Sequence, residues 1–125
     1  MLFDTDIFIW AQRGNRRAVS TMEQAPERSL SVLTYMELLQ GATSVRQHAQ
    51  VKDFLTTFDF HLLPLTENIG HRAAIYVEEY GLAAGVRAAD AVIAATATEH
   101  HLILVSGNVT HFKAIHDLKL APFTP

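Results

Sequence analysis

The sequence predicts an α/β fold, a single domain whose central parallel sheet of about four or five strands carries helices on both faces. Three observations lead there. Short apolar, β-branched or aromatic runs alternate with longer segments of helical periodicity along the whole chain. The length, 125 residues, suits one hydrophobic core, so residues 1–125 are taken as one domain. One segment, "AADAVIAATATEHH", is too apolar for a surface helix and belongs at the centre. Strand–helix alternation with a covered helix implies parallel strands buried on both sides.

The elements follow in order. Met1–Phe3 reads as a strand and Thr5–Gln12 as the helix after it. A second helix covers Asn15–Gln24 and breaks at "APER". "SLSVL" (Ser29–Leu33) alternates and reads as the second strand. A helix starts at Thr34 and weakens at Gly41, and "SVRQHAQVKDFLTTF" makes another. "HLLPL" (His61–Leu65) is a third strand, and its proline places it at an edge. Thr66 caps a long helix that runs to about Tyr80 and ends at Gly81. After the apolar helix come "LILVS" (Leu102–Ser106) as a fourth strand, a helical turn in "NVTHFKAI", and a terminal strand in "LKLAPF".

Composition excludes several classes. With no cysteine there are no disulfides and no thiolate metal site, which fits a reducing, cytoplasmic setting. The opening apolar run is short, lacks a basic leader and is interrupted by two acids. It therefore reads as neither a signal peptide nor a membrane span. The net charge of −3 gives no global attraction to nucleic acid, so a polyanion would need the local basic group Arg13, Arg16 and Arg17. There is no GxGxxG, P-loop, HExxH or nucleophile elbow. Trp10, with Phe3 and Phe8, is assigned to the core, His100–His101 to a helix end, and His111 to the surface.

The acids are the informative residues. Ligands of open parallel sheets bind beyond the carboxyl ends of the strands. Asp4 follows the first strand, Glu37 lies a turn past the second, Asp90 begins the apolar helix, and Asn108 follows the fourth strand. Capping is the competing reading. Thr34 and Glu37 match a capping box, and Asp4, Asp6, Asp90 and Asn108 are all suitable N-caps. A cap, however, needs only a short polar side chain near water. If the first, second and fourth strands are neighbours, Asp4, Glu37 and Asp90 meet at one edge and repel. A divalent cation relieves that repulsion, and hard oxygen donors without cysteine select Mg²⁺ or Mn²⁺ over zinc.

At this point "MLFDTDIFIW", "SVLTYMELLQGA" and "ADAVIAATATEHHLILVSGNVTHFKAI" together resemble the PIN-domain family, and within it the VapC-type toxins, across nearly the whole chain. The resemblance implies a Mg²⁺-dependent endoribonuclease, with Mn²⁺ as a substitute, acting on RNA such as tRNA and leaving 5′-phosphate and 3′-hydroxyl ends. It makes Asp4, Glu37 and Asp90 the metal ligands. Thr5, Asp6 and Ser106 then support the ligands or position water, and Asn108 stands where many relatives carry a fourth aspartate. His111 stands where an acid often precedes the phenylalanine. It further implies a cognate antitoxin and a homodimer, with no membrane association. Arg13, Arg16 and Arg17 either contact the RNA backbone or form a solvated helix face.

Rival readings come from other classes. "FDTDIF" looks like the Asp-x-Asp of a haloacid-dehalogenase-like phosphatase, with Asp4 as nucleophile and Asp6 as acid/base. That reading lacks a lysine after the second strand and a later acidic pair. A receiver-like phospho-switch lacks the aspartate after strand three and the late lysine. A PIN domain that binds without catalysis is the third, kept open by Asn108.

Overall fold

The computed structural model describes all residues, 1–125. Strand β1 (Leu2–Phe3) leads to helices α1 (Thr5–Gln12) and α2 (Arg16–Gln24). Next come β2 (Arg28–Ser31), α3 (Val32–Gly41), α4 (Val45–Thr57) and β3 (Phe60–Leu63). The helical pair α5 (Glu67–Ala84) and α6 (Ala88–Glu99) precedes β4 (Leu104–Ser106), the short α7 (Val109–Phe112) and β5 (Leu120–Pro122). The five strands form one sheet in the order β3-β2-β1-β4-β5, with every pairing parallel. The chain therefore starts at the centre and is flanked by β2 and β4.

Period-two alternation sends neighbouring strand residues into different cores. Leu2 and Leu104 pack with Ile69, Ile93 and Phe112 under α5–α7. Phe3 and Val105 pack with Ile7, Phe8 and Met22 on the other face, under α1–α4. Helix α6 buries Ala91, Ile93, Ala94, Ala95, Thr96 and Ala97, which makes it the covered central helix its composition requires. Trp10 is only half-buried at the margin of the second core.

Several boundaries differ from the sequence expectation. Strand β2 stops at Ser31 because its hydroxyl accepts the Leu33 N–H and caps α3. Val32 and Leu33 are therefore helical, and Thr34 is a buried residue within the helix rather than its cap. Strand β3 ends before Pro64, and it does lie at the sheet edge. Helix α5 continues through Gly81 to Ala84, and Gly85, in the left-handed region at φ 72°, ends it. Strand β4 begins at Leu104, two residues late. No helix is long and apolar enough to cross a membrane.

Candidate active site

Each acid reaches the carboxyl edge of the sheet for a local reason. Asp4 leaves β1 in extended backbone and is the N-cap of α1, its Oδ1 accepting the Thr5 N–H at 2.8 Å. Its Oδ2 accepts from Ser106 Oγ, at the end of the adjacent strand β4, at 2.7 Å. Ser106 Oγ in turn accepts the Asn108 N–H at 2.9 Å, so one buried hydroxyl ties Asp4 to the β4–α7 turn. Only 8 % of Asp4 is exposed.

Glu37 enters from α3 on the other side of β1. Its Oε1 accepts from Thr5 Oγ1 at 2.8 Å, and that hydroxyl lies 3.0 Å from Thr34 Oγ1. Thr34 precedes Glu37 by one helical turn, so both face α1. The Thr34–Glu37 spacing is also that of a capping box, but Ser31 caps the helix and Thr34 faces Thr5 instead. Asp90 occupies the third position of α6, where its Oδ2 accepts the Arg87 N–H at 3.3 Å. It is thus not the N-cap that sequence suggests, although it does the related work of satisfying a first-turn amide. The same oxygen lies 3.0 Å from His111 Nδ1.

Asn108 is the N-cap of α7 without a side-chain capping bond, and its Nδ2 lies 3.1 Å from His111 Nδ1 instead. His111 is therefore not a surface residue apart from the acids. Its spacing, three residues after Asn108, placed the two on one helical turn. Asp6 accepts the Gly107 N–H on Oδ2 at 2.8 Å, while its buried Oδ1 has no partner. A Cβ at Gly107 would lie 2.8 Å from Asp6 Oδ2 and 3.3 Å from the Phe123 carbonyl, so a side chain there would push the Asp6 carboxylate aside.

Electrostatically the edge is uncompensated. No lysine or arginine pairs with Asp4, Asp6, Glu37 or Asp90; the one basic side chain in contact is His111. Burial, opposed by the Ser106 bond and reinforced by the charges of Asp6 and Asp90, raises the Asp4 carboxyl to about 6. Burial likewise raises that of Asp6, against the Gly107 hydrogen bond. No three His, Asp or Glu side chains converge closely enough to enclose an ion unaided. In kind, the donor set still fits a hard divalent cation, since it offers carboxylate oxygens whose negative charge no protein cation balances.

The three arginines make different contacts. Arg13 lies over the Trp10 ring at 5.8 Å and lines a groove of about 600 Å³ that also takes in Thr5 and Glu37. Arg17 reaches the Thr124 carbonyl at 3.2 Å, and Arg16 is exposed.

The PIN domain family profile matches residues 1–117. No curated protein matches the chain. Among solved structures, a toxin–antitoxin complex from Klebsiella pneumoniae is 30% identical, covering 99% of this chain and 98% of its own, at a TM-score of 0.83. FitAcB from Neisseria gonorrhoeae is 25% identical over 95% of this chain and 94% of its own, at 0.75. VapBC2 from Rickettsia felis bound to a promoter DNA fragment is 19% identical over 98% of both chains, at 0.81, which is a likeness of fold.

Proposed function

The chain belongs to the PIN domain family, and on that premise we propose that it is the toxin of a toxin–antitoxin pair, a Mg²⁺-dependent endoribonuclease of the cytoplasm. One observation carries the reading: carboxylates from three separate elements reach the carboxyl edge of the sheet without a lysine or arginine to balance them. PIN domains are typically metal-dependent nucleases, and family membership sets aside the phosphatase and receiver alternatives.

In this reading Asp4, Glu37 and Asp90 hold the cation, Mg²⁺ with Mn²⁺ able to replace it. The chemistry supplied by that cation when bound is relief of charge on the phosphate oxygens and acidification of the attacking water. The rest is done by the chain. Ser106 Oγ–H keeps Asp4 Oδ2 aimed and favours its ionised form. Thr5 Oγ1–H holds Glu37 Oε1. Asp6, through the Gly107 N–H, fixes the turn that carries Ser106 and Asn108. The Asn108 amide stands at the same turn to orient water or a phosphate oxygen. Arg13, in the groove beside Glu37, supplies positive charge for an RNA backbone that the acids alone would repel.

The antitoxin partner is proposed from the complexes in which the similar structures were solved, and a homodimer from the implied family habit. The test is cleavage of a mixture of tRNA and mRNA by antitoxin-free protein with Mg²⁺, with Mn²⁺ or with EDTA. Discrete products that require metal and vanish in Asp4→Asn and Asp90→Asn support the proposal. Folded, metal-loaded protein that leaves every RNA intact would turn the assignment to a binding-only PIN domain.

A further inference from the structure

Asp90 differs from the other acids of the site in touching a side-chain nitrogen. Asp4 and Glu37 meet hydroxyls, whereas Asp90 Oδ2 lies 3.0 Å from His111 Nδ1. Nδ1 has one in-plane site, which holds either a proton or a lone pair, and the Asn108 side-chain amide also lies against it, with Nδ2 at 3.1 Å.

With Nδ1 unprotonated, Nδ1 and Asp90 Oδ2 present two lone-pair donors to one cation. The spacing suits this. Donors at adjacent corners of an octahedral ion, each roughly 2.1 Å from it, lie about 3.0 Å apart. Phe112, next in the chain, is fully buried and anchors the turn that carries the ring.

Resting on the metal-dependent reading above, we propose that His111 is itself a ligand, and that this mixed nitrogen–oxygen centre takes Mn²⁺ in preference to Mg²⁺. Imidazole is a borderline donor that favours first-row transition ions, whereas Mg²⁺ is held by carboxylates and water. Replacing a carboxylate by an imidazole also lowers the negative charge available to a hard ion.

The experiment is Mn²⁺ binding followed by pulsed electron paramagnetic resonance and calorimetry on antitoxin-free protein, with Mg²⁺ titrated in parallel. Wild type is expected to show ¹⁴N hyperfine coupling to Mn²⁺, absent from His111→Asp and His111→Asn. The ratio of Mn²⁺ to Mg²⁺ affinity should fall about tenfold or more in His111→Asp. Asn at 111 can still donate an N–H to Asp90, so it separates ligation from positioning. Wild-type spectra without nitrogen coupling, or an unchanged affinity ratio in both variants, overturn the proposal and leave His111 as a positioning residue. Absence of Mn²⁺ binding, or binding that survives Asp4→Asn combined with Asp90→Asn, overturns the metal-dependent reading itself and this inference with it.

Discussion

The two ends of α6 treat acidic side chains in opposite ways. At the C-terminal end Glu99 is paired by Arg72 Nε, and Asp117 is paired by Arg72 Nη1 at 2.8 Å. Tyr76 Oη closes the network, 2.9 Å from Asp117 and 3.0 Å from Thr98. At the N-terminal end, nine residues earlier and about 13 Å away along the helix, Asp90 has only His111 as a basic partner. Its neighbours Asp4, Asp6 and Glu37 have hydroxyl and amide donors and no basic side chain. The first end meets its two carboxylates with one guanidinium and fastens α5, α6 and the segment before β5. The second leaves its carboxylates with no lysine or arginine at all. The same residue types therefore carry opposite meanings, decided by whether a cation is supplied from within.

Substitution at the open end should produce the largest effect. Asp4→Asn or Asp90→Asn is expected to lower metal-dependent RNA cleavage a hundredfold or more, the scale of losing one electrostatic group at a reacting centre. Product bands on a gel measure it. Residual cleavage at wild-type rates would mean that the charge at this edge has no catalytic use.

The pH dependence of stability sharpens the contrast. Asp4 is raised from an ordinary carboxyl value to about 6, so the folded protein holds a proton that the unfolded chain has already released. The Asp4 contribution to the stability of metal-free protein should thus be greatest below about pH 4, fall as pH rises through 6, and then level off. The loss expected from Asp4 is about 2 to 3 kcal/mol. Urea denaturation between pH 4 and 8 should show that decline, flattened in Asp4→Asn. Divalent cation should restore the lost stability in wild type more than in the variant.

The closed end should respond in the reverse sense. Arg72→Met leaves Glu99 and Asp117 without their partner and is expected to cost about 1 kcal/mol, since Arg72 is more than a third exposed. RNA cleavage per folded molecule should not change. The smallest effect is expected from Thr5→Val, which releases Glu37 and unsatisfies Thr34, for a loss of about 1 kcal/mol or less and a few-fold drop in activity. If Thr5→Val instead matched Asp4→Asn in severity, Thr5 would be acting on substrate rather than on Glu37.

Much of this arrangement can be read along the chain. Elements with strong periodicity or strong composition, such as α1, α2, α4 and α6, stand where pattern places them, because their apolar faces leave one way to be buried. Strand β3 lies at the edge as expected although Pro64 falls just beyond it, and the meeting of Asp4 with the end of β4 follows from parallel strand order. Boundaries that depend on a single hydrogen bond were misplaced. Ser31 and Thr34 are both acceptable caps in sequence, and only the Ser31 hydroxyl reaches a free amide. Gly81 and Gly85 are both acceptable helix ends, and only Gly85 adopts positive φ.

The sequence by itself determined the fold class, the covered helix α6 and the set of acids that follow the first two strands or open α6. Local propensity and hydrophobic periodicity act within a few residues and need no knowledge of distant contacts. Tertiary structure decided what those acids touch: Ser106 on Asp4, Thr5 between Thr34 and Glu37, and His111 on Asp90. It also gave Arg13 and Arg17 different contacts, Arg13 over the Trp10 ring and Arg17 on the Thr124 carbonyl. Charge compensation is a property of three-dimensional neighbours, so only the folded chain could show which acids are paired and which remain open.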